Sequence, residues 1–470
     1  MPGTTPPTNG PDWRYRPLSD GKNSTDAWGV LSRTLPLRDA DSDAWWQFTG
    51  KHLAVLLDAA GYPSERQYEC LLYHYHYAAP YLGPNPRANL APSKWKSMPQ
   101  LNGSPFEFSW KWNNSEGGPE VRIGLEPVGP MAGTALDPLN HLTSREVLHK
   151  LSSAVPGADL TWTHHFLATL FDHDYAKCIE EASSGVPIGT SLSLSLDFLR
   201  DSTQIKTYFQ PRLLNQRGSL SIPRWEAAFQ KLRPDCPSRL ALHDFLSSNP
   251  EGQLLEPFCL SVDNCHPSRA RIKWYFNSPH TNFASIREIM TLGGRITCPD
   301  TLDYQLDELF DLLKTITDRP ETFPESSEFP VTNLPSSPSP SSPIREPRSS
   351  SSTSGCVYFF GIAPGHANPA PAVKLYFPIR NHTRDDLAAT QNLARWLHSR
   401  GRGQYGQAFL RALEAVAEYR RLDEGSGLLS FLSCQFRPDG ELDLTSYFNP
   451  EAYHSACVTQ RRGTRRRGDW

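Results

Sequence analysis

The chain has 470 residues, 38% of them hydrophobic, with 12 Trp, 22 Phe and 17 Tyr, enough apolar surface for a large core. Its formal net charge is −3 and its pI about 6.6, so no global field draws it to nucleic acid or to an anionic membrane. Nine cysteines (70, 178, 236, 259, 265, 298, 356, 434 and 457) are odd in number and form no CxxC pair, which points to reduced thiols in a cytoplasmic protein and away from a disulfide framework or a zinc site.

The first residues, Met1 to Gly10, are polar and proline-rich, and no signal peptide or membrane span is visible. Residues 1–30 read as a flexible tail. Asp41 to Ala60 reads as a helix: acidic residues open it, Trp45, Phe48, Leu53, Leu56, Leu57 and Ala60 recur on one side, and Gly61 ends it. A second helix spans Ser64 to Tyr77. The period then changes to two. Phe106, Phe108, Trp110 and Trp112 share one face, with Glu107, Ser109, Lys111 and Asn113 on the other, and Val121 to Leu125 follows a Gly-Gly-Pro turn. The same order recurs. Helices near 142–154 and 160–183 precede strands 191–199 and 204–210; helices 222–232 and 239–248 precede strands 258–263 and 269–277. Helices 283–291 and 304–317 precede strands near 357–362 and 373–379, and helices 385–400 and 405–422 lead to strands 428–436 and 441–448.

Between the fourth helix pair and its strands lies Pro320 to Gly355, 36 residues including Pro335-Ser-Ser-Pro-Ser-Pro-Ser-Ser-Pro343. Such composition lacks the apolar surface that offsets chain entropy, so residues 320–355 are expected to be a disordered insertion. The last ten residues carry five arginines (461, 462, 465, 466 and 467) and read as a basic tail, 456–470.

Three strands carry a lysine two residues before a tyrosine: Lys206-Thr-Tyr208, Lys273-Trp-Tyr275 and Lys374-Leu-Tyr376. Residues i and i+2 of a strand share a face, so each strand sets a cation beside a phenol, with Arg271 joining the middle one. Tyr208 and Tyr275 are 67 residues apart; Tyr275 and Tyr376 are 101 apart, or 65 without the insertion; Tyr447 lies 71 further on. Two helices then two antiparallel strands, about five times, is an α+β repeat whose strands can pair into one closed antiparallel barrel spanning 31–455, with helices over its apolar outer face. The lumen would hold Glu107, Arg122, Lys206, Tyr208, Arg271, Lys273, Tyr275, Lys374, Tyr376 and Tyr447: five cations, four phenols and one carboxylate. A multiply charged anion such as diphosphate would relieve that crowd of cations. The ring faces suit a carbocation, by cation–π attraction of roughly 0.5–2 kcal/mol per desolvated ring. Together they point to ionisation of an allylic diphosphate. His164, His165 and His173, and His74 with His76, have some ligand-like spacing, but helical neighbours diverge and no metal site is expected. No DDxxD motif is present. The rival class is a nucleic-acid-binding barrel, in which interleaved Lys/Arg and Tyr would hold phosphates and stack bases.

The chain resembles the fungal aromatic prenyltransferases of the dimethylallyl tryptophan synthase family. The matching segments are Trp45-Trp-Gln-Phe-Thr-Gly50, Leu82-Gly-Pro84, Ser104-Pro-Phe-Glu-Phe-Ser109, Val121-Arg-Ile-Gly-Leu-Glu-Pro127, Ile205-Lys-Thr-Tyr-Phe-Gln-Pro211, Arg271-Ile-Lys-Trp-Tyr275, Val373-Lys-Leu-Tyr-Phe-Pro378 and Thr445-Ser-Tyr-Phe448. The resemblance implies the ααββ (PT) barrel and transfer of a dimethylallyl or longer prenyl group from its diphosphate to an aromatic small molecule. No cofactor or magnesium is required, and neither nucleic acid nor membrane is a partner; the chain would act as a monomer or homodimer. By position, Arg122, Lys206, Arg271 and Lys273 would clamp the diphosphate, with Lys374 at a place that is Gln in some relatives. Tyr208, Tyr275, Tyr376 and Tyr447 would shield the allyl cation, and Glu107 would hold the acceptor's N–H or O–H. Two departures turn the expectation from tryptophan toward a phenolic polycycle. Relatives acting on free tryptophan carry a lysine in the strand that here reads Ser191-Leu-Ser-Leu-Ser-Leu-Asp197, and a further shielding tyrosine is replaced in Ser430-Phe431-Leu432.

Overall fold

Strand side chains alternate between two faces, and here the outward face is almost wholly aromatic and aliphatic. Phe106, Phe108, Trp110, Trp274 and Phe360 cannot stay in water, and each finds an aromatic partner on a covering helix or its neighbour strand. Trp110 meets Phe409 at 5.1 Å between ring centroids, and Phe229 meets Trp274 at 5.0 Å. The main core is therefore a cylinder of side chains between a barrel and its helices.

The computed structural model describes residues 26–88, 95, 97, 103–183, 189–211, 220–232, 235–296, 301–332, 355–362 and 370–454. Ten strands run in chain order: β1 (Phe106–Lys111), β2 (Glu120–Leu125), β3 (Leu192–Phe198), β4 (Thr203–Phe209), β5 (Glu256–Asp263), β6 (Ile272–Asn277), β7 (Val357–Ile362), β8 (Ala372–Phe377), β9 (Leu429–Phe436) and β10 (Leu442–Phe448). Each pairs antiparallel with the next, and β1 closes on β10, so the sheet is a barrel without edges. At the seam Ser109 stands opposite both Arg122 on β2 and Tyr447 on β10. Helices precede every hairpin, among them Lys51–Ala59 and Ser64–Tyr77 before the first, and Asp386–Ser399 and Gly406–Val416 before the last. The expected α+β barrel of five ααββ units is the observed fold.

Three expectations change. The helix read over Asp41–Ala60 is two α-helices, Ala40–Trp45 and Lys51–Ala59, joined by a π turn over Trp46–Gly50. The expected tail 1–30 ends earlier than read, because Asp26–Thr34 is a helix that buries Ala27 and Leu31 and sets Trp28 against Trp46 at 6.5 Å; residues 1–25 lie outside the described residues, as does the basic tail 456–470.

The expected insertion 320–355 is also too long. Its first part, 320–332, is packed: Phe329 is 2% exposed and lies between Phe323 (5.0 Å) and Phe377 (5.2 Å). Glu328 accepts hydrogen bonds from the Thr281 backbone (2.6 Å) and from both the backbone and side chain of Asn282, and Glu325 pairs with Arg287 at 2.6 Å. Proline and serine dominate the composition of the whole stretch and conceal these anchors; residues 333–354 lie outside the described residues. Phe329→Ala is expected to destabilise the protein by about 3–5 kcal/mol, the usual cost of emptying a buried phenylalanine site. Urea unfolding of the variant measures it, and an unchanged midpoint would show the segment to be dispensable.

Candidate active site

Inward side chains of the barrel sort into two layers, charged and aromatic. The charged layer is built from the strand positions that the Lys-x-Tyr pattern singled out, but it also holds carboxylates that the pattern missed. Lys206 on β4 pairs with Asp197 on β3, and the Arg122 Nε lies 3.4 Å from the same carboxylate. The Lys273 Nζ donates to Asp263 at 2.5 Å, and the Arg271 Nε donates to its other oxygen at 2.7 Å. Arg122 also reaches Glu120 at 3.1 Å, and Lys111 stands 3.8 Å from Glu120 and 3.7 Å from Asp443. The expected lumen of crowded cations and one carboxylate is corrected: cations and carboxylates alternate, because neither is tolerated alone out of water. Arg271 is corrected too. It precedes β6, and its side chain is 54% exposed at the barrel's end instead of pointing fully inward.

Electrostatics follow from this pairing. Burial pushes against the charge of Asp197, but Lys206 and Arg122 overcome it and hold the carboxyl well below the usual range. Asp263, buried but beside Lys273, Lys206 and Arg271, is held at about 2. Burial opposes the charge of Arg122 as well, and Asp197, Tyr447 and Glu120 more than offset it, so the guanidinium stays charged. Two lysines go the other way. Burial, and next the charge of Lys206, bring Lys273 down to about 7 despite Asp263; burial brings Lys374 to about 8, with Asp443 opposing and Arg122 adding to the shift.

The aromatic layer is a chain of four phenols in contact. Ring centroids are 6.1 Å apart for Tyr208–Tyr275, 6.0 Å for Tyr275–Tyr376 and 5.4 Å for Tyr376–Tyr447. Phe359 packs on Tyr275 at 5.6 Å and on Tyr376 at 6.2 Å. The Lys374 ammonium lies 5.9 Å from the Tyr376 ring centroid, tying the two layers together. Burial raises the Tyr208, Tyr275 and Tyr376 phenols well above their ordinary value, and raises Tyr447 too.

Beside these rings opens a cavity of about 340 Å³, within the usual size of a small-molecule pocket. Glu107, Arg122, Lys206, Tyr208, Tyr275, Tyr376 and Tyr447 line it; Arg271, Lys273 and Lys374 do not and stand beyond it in the charged layer. Glu107 sits opposite Gly124 in the β1–β2 register, and a Cβ at position 124 would lie 2.9 Å from the Glu107 Cγ. The glycine in Val121-Arg-Ile-Gly-Leu125 therefore makes the space in which the carboxylate lies. Phe431, at the position where a shielding tyrosine was expected to be replaced, also lines the cavity, as do Phe258, Val357 and Arg380.

Asp197, Asp263, Lys111, Gly124 and Arg380 were missed as parts of this site. For Asp197 a signal existed, since it shares strand parity with Ser193 and Ser195. Of the candidate histidines, His74 is buried against Thr49 (2.8 Å), with burial lowering it to about 3, and His76 contacts Arg38, while His164 and His173 line a second, outer pocket with His149. Among the described residues no group of three or more His, Cys, Asp or Glu is placed to hold a metal ion. Nor is any described helix long and apolar enough to cross a membrane.

A paired charged layer, stacked phenols and a carboxylate share one barrel interior, and comparison with known proteins shows the family to which such a barrel belongs. The family model described as tryptophan dimethylallyltransferase matches residues 41–412. Xanthone prenyltransferase B of Emericella nidulans is 67% identical over 464 residues, covering 98% of this chain and 99% of that one. Prenyltransferase anuH of Penicillium roqueforti is 44% identical over 455 residues, 95% of this chain and 98% of the other. In fold the chain is similar to AnaPT from Neosartorya fischeri, with TM-score 0.72 and 23% identity over 90% of this chain and 97% of that one. NotF, solved in complex with brevianamide F and DMSPP, gives TM-score 0.72 at 20% identity, covering 91% and 99%. This chain belongs to the tryptophan dimethylallyltransferase family and is a prenyltransferase. That class membership displaces the nucleic-acid reading.

The Asp263 contacts yield a prediction on acid stability. Its folded value, about 2, lies below the unfolded carboxylate's ~3.9, so its stabilisation is complete above pH ~4 and is lost as pH falls through 2. Asp263→Asn is expected to be less stable at pH 7 and to lose less stability than the parent between pH ~4 and ~2. Urea midpoints at three pH values measure this; parallel profiles would contradict it.

Proposed function

We propose that the enzyme transfers a dimethylallyl group from its diphosphate to a hydroxylated polycyclic acceptor of the xanthone type, through an allyl cation shielded by tyrosines. The observation that carries the proposal is the contact between the two layers: the continuous Tyr208–Tyr275–Tyr376–Tyr447 stack lies directly against the Lys/Arg layer. Arg122, Lys206, Arg271, Lys273 and Lys374 take the diphosphate, whose charge adds to the counter-charge that Asp197 and Asp263 supply. The C1–O bond breaks toward that anion, leaving the allyl cation against the phenol faces, where water is excluded. Glu107 accepts a hydrogen bond from the acceptor hydroxyl, enriching the ring whose carbon attacks C1, and the ring proton then passes to the released diphosphate, restoring aromaticity. Since protein cations carry the diphosphate, magnesium is not needed. The xanthone-type acceptor is supported by the 67% identity to xanthone prenyltransferase B, by the lack of a lysine on β3 and by Phe431 in place of a tyrosine.

The direct test is product formation by mass spectrometry from dimethylallyl diphosphate with hydroxyxanthones, hydroxybenzophenones, tryptophan and cyclic dipeptides, all in EDTA. Turnover of the phenolic polycycles in chelator is expected. Turnover of tryptophan alone would refute the acceptor class, and activity that chelator abolishes and magnesium restores would refute the metal-free clamp. Glu107→Gln is expected to lower turnover while leaving donor affinity within about twofold, because the lost contact is to the acceptor.

Lys273 and Lys374 make donor binding depend on pH in a defined direction. Diphosphate favours their charged forms, so binding is tightest where both are already protonated and weakens as pH rises through about 7 and then about 8. Lys273→Arg, which stays charged, is expected to remove the limb near 7 and keep that near 8. Titration with a non-ionising donor analogue from pH 6 to 9 reads both, and a flat wild-type curve would remove these lysines from the clamp.

A further inference from the structure

One cation in the cavity wall belongs to neither layer. Arg380 lies in the single helical turn Ile379–His382 that follows β8 and Pro378, and it lines the cavity together with Phe431 and Glu107. Its guanidinium carbon sits 4.6 Å from the centroid of the Phe431 ring. Phe431 on β9 stands opposite Tyr447 in the register, so this guanidinium borders the end of the phenol stack, apart from the Asp197 and Asp263 clusters. The turn is fixed from both sides. Ser426 donates to the Arg380 carbonyl at 3.0 Å, the Thr332 N–H donates to Asn381 at 2.8 Å, and the His382 Nδ1 and the Pro330 carbonyl are 3.1 Å apart. These contacts fix the backbone from which the side chain reaches the cavity, and the Phe431 ring gives its planar fork of donors an aromatic platform, a geometry suited to two adjacent oxygens of a ligand. Burial lowers its proton affinity to about 10, and an anionic ligand in the cavity would favour its charged form.

We propose that Arg380 selects the acceptor by pairing with an anionic oxygen and a second oxygen beside it, as in an aromatic carboxylate or an ionised phenol next to a carbonyl. The proposal rests on the reading of the cavity as the acceptor site and names the charge that the acceptor carries. Arg380 and Glu107 then act as opposite handles: the guanidinium grips the acidic edge of the polycycle, and the carboxylate receives the hydroxyl of the ring to be alkylated. Phe431 is part of the device, since a flat ring beneath the guanidinium keeps its fork in the plane of an aromatic ligand.

Equilibrium binding tests this without turnover. Xanthone-2-carboxylate and its methyl ester are titrated by quenching of protein fluorescence, on the full chain, with Arg380→Gln and Arg380→Lys beside the parent. The parent is expected to bind the carboxylate at least about tenfold more tightly than the ester, the usual strength of one charge-assisted pair. Arg380→Gln should erase that preference and Arg380→Lys should restore part of it, with binding of a dimethylallyl diphosphate analogue unchanged within about twofold in both. Equal affinity of the parent for acid and ester overturns the proposal and needs no variant to fold; so does a preference that survives in Arg380→Gln. If hydroxyxanthones are not prenylated while the acid preference and its loss are seen, the proposed acceptor falls and the role of Arg380 stands.

Discussion

A cation taken out of water needs an anion beside it, and the arrangement of this barrel's interior follows from meeting that need twice, once without substrate and once with it. Asp197 serves Lys206 and Arg122, and Asp263 serves Lys273 and Arg271. Each pair joins neighbouring strands, so the pairing depends on register: Asp197 opposite Arg122, Lys206 opposite Asp263. Register in turn is set by the outward face, where a slip of one residue would bring Phe106, Phe108 and Trp110 inward and send the charges into the aromatic shell. Core packing outside the barrel is thus what aligns charge inside it.

The same interior explains why two lysines are brought down toward neutrality. Lys206 pairs with Asp197, which it shares with Arg122. Lys273 shares Asp263 with Arg271 and also feels Lys206, and for Lys374 Asp443 opposes a shift to which Arg122, Lys111 and Lys206 add. Part of the barrel's positive charge is therefore weakly held, and Lys374 brings its share up to the phenol stack. A diphosphate would complete a lattice of charges that the protein leaves unfinished.

How much of this was legible in the sequence follows from the range of each signal. Strand parity acts over two residues, so Lys206/Tyr208, Lys273/Tyr275 and Lys374/Tyr376 could be placed on one face, and Glu107 and Arg122 with them. The repeat of two helices and two strands gave closure, because five such units leave no other place for ten strands. Cross-strand partners were beyond reach. Asp197 meets Arg122 only through the β2–β3 register, which no local pattern states, and so the interior looked more cationic than it is. Arg380 was invisible for a similar reason: it comes after a proline, outside any periodic run, and only the tertiary fold brings it to Phe431. The segment 320–332 was misread because composition averaged over 36 residues gave no weight to Phe323 and Phe329, whose burial decides where packing ends.

The buried phenols have one more consequence for the proposed chemistry. An allyl cation alkylates the best nucleophile within reach, and a phenolate oxygen is a far better one than a phenol. Burial keeps Tyr208, Tyr275, Tyr376 and Tyr447 protonated far above neutral pH, even with lysines and arginines nearby that would favour their ionisation. In the proposed chemistry dryness would therefore protect the catalyst from its own intermediate: the four phenols would meet the electrophile with ring faces and bound protons, leaving the acceptor's ring carbon to take the prenyl group.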